Sequence, residues 1–234
     1  MAPEAEPVRP AVTWLGRVSY ADALELQEKR VEALRTGAGP ECLLLLEHPP
    51  VVTLGRGADA RNVLLPESEL AASGVEVHRV SRGGDVTFHG PGQLVGYLIL
   101  DLARRGEPDV GRFLRAIEAA LIDALAGLGQ PAHARPGMTG VFAGPPDSAQ
   151  GDEPPRKLAS IGVGLRGWVT WHGFALNVTT DLAGFGAIVP CGLHDVAMTS
   201  LAAELGEQAP PDLGARAREA VAAAFERRFG LSGS

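Results

Sequence analysis

Residues 82–93 form the densest group of side chains suited to small-molecule binding in this 234-residue chain. The segment reads RGGDVTFHGPGQ, with four glycines placed among charged and hydrogen-bonding residues. Glycines let the backbone approach a ligand closely and offer N–H donors with no side chain in the way. The nucleotide patterns GxxxxGK[ST] and GxGxxG before a helix are both absent. The segment therefore predicts a binding loop, with an ordinary glycine-rich turn between strands as the alternative.

Cys191 is the candidate nucleophile, because it lies in the turn IVPCGL at 188–193, where its sulfur can face a cleft. The thiolate is the reactive form, and a thiol with an ordinary pKa of about 8.5 is only slightly ionised at neutral pH. A base or a cation must therefore lie close to this cysteine. The candidates for that role are Lys157, His89, His172 and His194. Cys42 lies in the apolar run CLLLLEH, which predicts a structural core residue.

Lysine is scarce in this chain, since only Lys29 and Lys157 accompany nineteen arginines among its 21 basic residues. Arginine cannot lose its proton near neutral pH, so a position that needs a titratable amine must keep lysine. Lys157 opens the predicted strand KLASIG after a polar segment, which fits either a catalytic amine or a solvated strand end. Lys29 lies in the helical stretch QEKRVE and is predicted to face solvent.

The histidines give a weak case for a metal site, because no HxH or HExxH spacing occurs. His48 and His78 lie at predicted strand ends and His133 lies in a loop, so we interpret all three as structural. His89 in the glycine loop and His172 beside Gly173 are placed where they could line a pocket. We expect no bound metal.

Composition excludes several other classes of protein. The net charge of −7 and the pI near 5.4 lack the basic excess that holds a polyphosphate backbone, so nucleic acid is not an expected partner. No apolar stretch approaches the roughly 18 residues that a membrane span needs. Two cysteines are too few for a disulfide framework or a zinc cluster. We expect a cytoplasmic enzyme that does not bind membranes.

Elements of both types must position these residues. Residues 1–11 are predicted to be a disordered tail, and residues 12–234 a single domain with an exposed insert at 144–155. The predicted helices lie at 20–36, 110–128, 196–205 and 212–229, and the predicted strands at 42–48, 51–57, 76–80, 94–102, 138–143 and 157–163. A further hairpin pairs 162–169 with 171–180. This mixture predicts an α+β, or mixed α/β, fold rather than a regular βαβ series.

The segment RGGDVTFHGPGQLVGY at 82–97 resembles the signature of the lipoyl(octanoyl) transferase family position by position. Other blocks of that family are similar in the same order, namely EHPPVVTLGR at 47–56, KLASIGV at 157–163, HGFALNV at 172–178 and PCG at 190–192. The resemblance spans about residues 12 to 205. One departure is the acidic, proline-bearing insert between Val141 and Lys157, where the family has a tight hairpin.

The resemblance implies a fold and an activity. The fold is that of biotin and lipoate protein ligase catalytic domains, with a large mixed sheet, a smaller sheet and outer helices. The activity moves octanoyl from acyl carrier protein to one lysine of a lipoyl domain, in 2-oxoacid dehydrogenases or the glycine cleavage H protein. No cofactor is implied, because the thioester already stores the energy for transfer. We expect the enzyme to be a monomer.

The resemblance also implies site residues. The catalytic pair of the family falls on Cys191 and Lys157. Its acyl-binding segments fall on Arg82, Gly83, Gly84, Asp85, Val86, Thr87, Phe88, His89, Ser160, Ile161, Gly162, Gly173, Phe174 and Ala175.

Three other interpretations remain at this point. An ATP-dependent lipoate or biotin ligase would share the fold but would need no cysteine. A non-catalytic acyl or carrier-protein binding module would keep the pocket and lose the nucleophile. A papain-like hydrolase would place its cysteine near the mature N-terminus at the start of a helix, whereas Cys191 lies late in the chain.

Overall fold

The computed structural model describes residues 11–145, 154–190 and 195–233 of the chain, and the side chains of 12–145, 154–190 and 195–231. Its strands are β1 (Ala11–Arg17), β2 (Cys42–Glu47), β3 (Val51–Leu54), β4 (Glu76–Arg79), β5 (Val86–His89), β6 (Gln93–Ile99), β7 (Ala132–Arg135), β8 (Met138–Ala143), β9 (Arg156–Arg166), β10 (Val169–Asn177), β11 (Ala197–Met198) and β12 (Ser232–Gly233). Its α-helices are α1 (Tyr20–Arg35), α2 (Glu67–Ala72), α3 (Val110–Gly127), α4 (Leu201–Leu205) and α5 (Leu213–Phe229).

Two sheets organise the strands. The large sheet has the order β12-β1-β2-β6-β10-β9-β8-β7, and β11 pairs with β9 outside this path. It is mixed, because β1 runs parallel to both β2 and β12, and β11 runs parallel to β9, while the pairs β2-β6, β6-β10, β10-β9 and β9-β8 are antiparallel. The small sheet has the order β4-β3-β5. This architecture confirms the predicted fold class of a large mixed sheet, a smaller sheet and outer helices.

Strand β2 shows why the large sheet carries helices on both faces. All but the last of its six residues are buried, so its sequence is apolar throughout rather than alternating. Leu43 and Leu45 join the core beneath α3 and α5, whereas Leu44 and Leu46 join the core beneath α1. Side chains along a strand point alternately to the two faces, so one apolar run serves both cores.

The helix ends follow their sequence signals. The Ser19 side chain accepts the Asp22 N–H at 3.1 Å and begins α1, and the Asp109 side chain accepts the Arg112 N–H at 2.9 Å and begins α3. Helix α5 ends at Gly230, which has a left-handed conformation with φ of 65°. The predicted helices at 20–36, 110–128 and 212–229 are confirmed.

Several predicted elements differ from the structure. The long hairpin turns at Gly167 and Trp168, both with positive φ, rather than at residue 170, so β9 runs unbroken from 156 to 166. Tryptophan is not a usual residue for such a turn, and the sequence therefore hid it. The predicted helix at 196–205 is shorter, because β11 precedes it and the Ser200 side chain caps α4.

Other elements were missed by the sequence prediction. The glycine loop contains a strand, β5, and β1, α2 and β7 were not predicted. Residue 11, placed in the predicted tail, is the first residue of β1. Residues 1–10 and most of the predicted insert, 146–153, lie outside the described residues. Among the helices that are described, none is long and apolar enough to span a membrane.

The core between the large sheet and its outer helices gives a test of the packing. Phe225 of α5 is fully buried, with its ring centroid 4.8 Å from that of Phe174 and 5.6 Å from that of Phe229. We expect Phe225→Ala to lower the free energy of unfolding by about 3–5 kcal/mol, through lost burial and the cavity left behind. Leu64→Ala is the control, because Leu64 is 55% exposed and a surface change shifts stability by only about 0.5 kcal/mol. Urea denaturation measures both variants, and a loss below about 1 kcal/mol for Phe225→Ala contradicts the packing.

Candidate active site

The glycine loop lies directly on β9 of the large sheet. The Gly83 N–H donates to the Val163 carbonyl at 2.8 Å, which joins the segment just before β5 to the larger sheet. A Cβ at Gly162 would stand 2.9 Å from the Gly83 carbonyl oxygen, and a Cβ at Gly55 would overlap the Gly84 carbonyl. Real Cβ atoms do not approach so closely, so glycine is required at both positions, one on β9 and one directly after β3.

The floor of the space beneath this loop is built from small side chains on neighbouring strands. One row across the sheet contains Val95, Ala175 and Ser160, and the next contains Tyr97, Gly173 and Gly162. Residues two apart on a strand share a face, so both rows look toward the glycine loop. Alanine, serine and glycine leave a trench between the sheet and the loop.

This trench encloses about 490 Å³ of space between atoms, counting the part open to solvent. Twelve of the fourteen residues predicted to bind the acyl group line it, namely Arg82, Gly83, Gly84, Asp85, Thr87, His89, Ser160, Ile161, Gly162, Gly173, Phe174 and Ala175. Val86 and Phe88 do not, because β5 alternates and turns them into the core of the small sheet. His172 also lines the cavity.

Three lining residues were not identified from the sequence. Tyr20 is the first residue of α1, and Val95 and Tyr97 belong to β6. The β6 residues follow the glycine signature directly, so alternation along that strand could have identified them. No comparable signal marks Tyr20, which approaches the cavity through the packing of α1.

Arg82 brings a buried positive charge to the loop. Its Nη2 donates to the Thr53 carbonyl at 2.7 Å and to Thr53 Oγ1 at 2.9 Å, which ties the loop to β3. Arg82 is 8% exposed, and its charge helps to lower the pKa values of the nearby His89 and His172. The guanidinium therefore orients the loop and discourages further positive charge in the cavity.

His89 begins a chain of buried hydrogen bonds. Its Nδ1 lies 2.7 Å from Gln93 Oε1, which can only accept, so Nδ1 carries the proton. Gln93 Nε2 donates in turn to the Phe88 carbonyl and to Asn177 Oδ1, and Asn177 Nδ2 donates to the Thr199 carbonyl. Burial, with the nearby His48 next, lowers the pKa of His89 to about 3. His89 is consequently neutral at physiological pH.

Two further histidines near the cavity are also neutral. Burial lowers the pKa of His48 to about 4, and its Nδ1 donates to the Val18 carbonyl while Nε2 accepts from the Tyr97 hydroxyl. Burial lowers the pKa of His172 to about 3, with the charge of Arg82 as a second cause. His172 is 2% exposed and has a φ of 55°, while its backbone N–H donates to Gln27 Oε1. None of these rings supplies a positive charge at neutral pH.

Lys157 is buried near one end of β9, with 2% exposure. The alternative of a solvated strand-end lysine is therefore wrong. Its ammonium lies 5.6 Å from the centroid of the Phe142 ring, and its carbonyl accepts the Thr199 N–H at 3.0 Å. It precedes Ser160 by three residues, a distance of about 10 Å along the strand. Lys29 instead is exposed on α1 and ion-pairs with Glu25, as predicted.

Cys191 and His194 lie outside the described residues. The chain leading to them is anchored, because Ile188 pairs with Val63 and the Val189 N–H donates to the Asn62 carbonyl at 2.8 Å. Cys42 is buried in β2, and burial raises the pKa of its thiol to about 11. That shift holds Cys42 in its unreactive protonated form, which agrees with its predicted structural role.

The remaining histidines do not form a metal site. His48 is tied to Val18 and Tyr97, His133 Nδ1 donates to the Gly144 carbonyl, and His78 contacts Glu76 near the surface. Within the described ranges no cluster of three His, Cys, Asp or Glu side chains could hold a metal ion.

Comparison with known proteins gives a family for this arrangement. The family model of the lipoyl protein ligase A/B catalytic domain matches residues 19–226. An octanoyltransferase of Citrifermentans bemidjiense is 50% identical over 217 residues, which cover 93% of this chain and 96% of that protein. An octanoyltransferase of Geobacter sp. strain M21 is 52% identical over 194 residues, covering 83% and 86% of the two chains.

A solved structure supports the same fold. The bi-partite lipoate protein ligase of Thermoplasma acidophilum superposes with a TM-score of 0.70 at 17% identity, over 97% of this chain and 86% of that chain. At that identity the similarity concerns the fold alone. The relatives at about 50% identity carry the assignment further, since they cover most of the chain. The chain belongs to the lipoyl protein ligase A/B catalytic domain family and, within it, to the octanoyltransferases, which are acyltransferases.

Proposed function

We propose that this enzyme transfers octanoyl from octanoyl-acyl carrier protein to one lysine of a lipoyl domain, through a thioester on Cys191. The acceptors are the E2 subunits of 2-oxoacid dehydrogenases and the glycine cleavage H protein, and the reaction is the first step of endogenous protein lipoylation. It runs in the cytoplasm, on a monomer and without a cofactor. The family and the name that the 50% identical relatives share support this proposal.

The observation that carries the proposal is the trench, whose floor is formed by Ser160 and Gly162 of β9 and Gly173 and Ala175 of β10. The buried Lys157 also belongs to β9. An octanoyl chain has seven C–C bonds of about 1.5 Å, so its extended zigzag spans roughly 9 Å. Gly162 lies five positions after Lys157 on β9, which is roughly 16 Å of strand. The trench can thus hold the chain with its carbonyl toward the lysine end.

Burial of the chain supplies binding energy. Each buried methylene contributes about 0.8 kcal/mol, so eight carbons provide several kcal/mol and make affinity sensitive to length. Val95, Ile161, Phe174 and Ala175 offer the apolar surface for this contact. Keeping His89 and His172 neutral also favours an uncharged ligand.

In the first step, the Cys191 thiolate attacks the carbonyl carbon of the octanoyl thioester. The bond from that carbon to the phosphopantetheine sulfur breaks, and the released thiolate takes a proton from the Lys157 ammonium, which leaves Lys157 neutral for the second step. The positive charge of Lys157 favours the attacking thiolate. Backbone N–H groups beside Cys191 or in the glycine loop hold the oxyanion of the tetrahedral intermediate.

In the second step, the neutral ε-amine of the acceptor lysine attacks the octanoyl-Cys191 carbonyl. A C–N bond forms, the C–S bond breaks, and the Cys191 thiolate leaves. Lys157, in its neutral form, takes the proton that the acceptor amine loses. The products are the amide and the free enzyme with its ion pair restored.

The nucleophile gives the first test. We expect Cys191→Ala to form no octanoyl adduct and to lose transfer by a factor of about 10³ or more, because the covalent route is removed. Cys42→Ala is the matched control, since Cys42 is buried and kept protonated, and it should keep both the adduct and the transfer. Intact-mass analysis after mixing with octanoyl-carrier protein measures the adduct. An octanoyl mass shift on Cys191→Ala contradicts this assignment of the nucleophile.

The energy source gives the second test, because the fold is shared with a lipoate protein ligase. We expect transfer from octanoyl-carrier protein at full rate in nucleotide-free buffer containing a metal chelator, since the thioester is already activated. Free octanoate with ATP and Mg²⁺ should not be transferred. A strict ATP requirement would move the chain to the ligase class.

Lys157 gives the third test, since a charge role and a proton-transfer role predict different activities for Lys157→Arg. Arginine keeps the charge but cannot become neutral near pH 7. We therefore expect Lys157→Arg to retain alkylation of Cys191 by iodoacetamide and to slow octanoyl transfer by about 10²-fold or more. Lys157→Ala should lose both.

The bulk of arginine is controlled within the same experiment. Thioenzyme mass and alkylation rate are measured on one sample of Lys157→Arg, so a misfolded or blocked site is detected directly. Lys29→Arg is the matched control, because Lys29 is exposed on α1. Near-normal transfer by Lys157→Arg would leave charge as the only role of this lysine.

A further inference from the structure

A bulge between β8 and β9 lies against the side chain of Lys157. The pairing of these strands shifts register between Val141 and Phe142. The extra residue of this bulge is Leu158 of β9, next to Lys157. On β8, Gly140 has a φ of 133°, a conformation that favours glycine. A Cβ at Gly140 would stand 2.6 Å from Lys157 Cε and 3.2 Å from Nζ. The lysine side chain therefore passes directly over the backbone of Gly140.

The buried carboxylate of Glu118 holds the backbone of Gly140. Glu118 of α3 is 1% exposed, and its Oε1 accepts the Gly140 N–H at 2.9 Å. Arg115 Nη1, one helical turn away, lies 2.6 Å from Glu118 Oε2 as an ion-pair contact. Helix α3 is thus linked to Lys157 through Gly140, because Glu118 fixes the Gly140 backbone and the Lys157 side chain lies against that backbone.

The charges around Glu118 come from three elements. Arg115 on α3 and Lys157 on β9 both act to lower the pKa of Glu118, as does the hydrogen bond from Gly140, whereas burial raises it and is the largest effect. On β7, Arg135 lies over the far part of the cluster, 5.8 Å from the Phe142 ring centroid. Glu118 therefore lies within electrostatic range of both Arg115 and Lys157.

Stability alone does not explain a carboxylate at this position. The neighbouring buried residues of α3, such as Ile117 and Leu121, are apolar and form the core under the large sheet. Replacing a buried ionic group by an apolar side chain of similar volume is often neutral or stabilising. A bulge in a strand commonly redirects a side chain next to an active site. Glu118 thus has a local purpose, and the backbone of Gly140 beside Lys157 is where it acts.

We propose that Glu118 is a positioning residue for Lys157, in which its carboxylate fixes the backbone of Gly140, over which the lysine side chain lies. The fixed backbone limits where the lysine amine can point. This inference rests on the proposed role of Lys157 in octanoyl transfer.

The first experiment observes Lys157 directly and needs no activity. The chain has only two lysines, so ¹³C labelling of lysine Cε gives two NMR signals, with exposed Lys29 as an internal reference. We expect the ¹³Cε chemical shift of Lys157 at pH 7 to change in Glu118→Gln, because the carboxylate that holds Gly140 against the lysine side chain is removed. The Lys29 signal should not move. Asp123→Asn is the control variant, since it removes an exposed carboxylate from the same helix.

The second experiment measures transfer. Glutamine keeps an oxygen for the Gly140 N–H, so Glu118→Gln should remain folded and slow single-turnover octanoyl transfer by about tenfold. Gly140→Ala should displace the lysine amine and slow transfer by about 10²-fold. Asp123→Asn should match the wild type in both measurements.

The outcomes separate the two proposals. An unchanged Lys157 signal together with normal transfer in folded Glu118→Gln overturns the positioning role and leaves the proposed function intact. If the wild-type enzyme transfers no octanoyl, the proposed function fails, and the NMR signal still decides whether Glu118 positions Lys157. A changed Lys157 signal with slowed transfer supports both.

Discussion

The close contact between the backbone at Arg82–Gly84 and β9 is the constraint on which the rest of the site depends. Gly83 donates to Val163 across this contact, and a Cβ at Gly162 of β9 would stand 2.9 Å from the Gly83 carbonyl oxygen. The small sheet is fastened in this way over the large one, and the space left beneath the loop is the trench. A larger residue at position 162 would push the loop away from β9, so the binding site and the sheet interface are one feature.

The electrostatic character of the cavity follows from its burial. His48, His89 and His172 are all neutral at physiological pH because desolvation disfavours their charged forms. The Gln93 and Asn177 side chains satisfy the hydrogen bonds that a neutral His89 still needs. Among the described lining residues, Arg82 therefore brings a buried positive charge to the cavity, while the histidines bring none.

Local patterns in the sequence predicted much of the fold, and contacts between distant segments account for what they missed. Helices α1, α3 and α5 follow from apolar periodicity and end signals, and β2 follows from its apolar run. Strand β5 was hidden among glycines, because its pairing partner β3 lies more than thirty residues earlier. The cavity residues of the glycine loop were predicted from a resemblance, whereas Tyr20 enters through helix packing that leaves no local signal. The role of Glu118 could not be predicted from sequence either, since it depends on a hydrogen bond to Gly140, which lies 22 residues away along the chain.

The scarcity of lysine has a consequence under the proposed transfer of octanoyl to a lysine. Arginines stay protonated and make poor acyl acceptors, so the nineteen arginines of this chain would not react with an octanoyl thioester. Lys157 is enclosed against Phe142, and Lys29 is held in an ion pair with Glu25 on α1. Under the proposed mechanism, a normal share of surface lysines would present many competing amines to the thioester. This chain has a single exposed lysine side chain, so few of its own amines would compete with the acceptor.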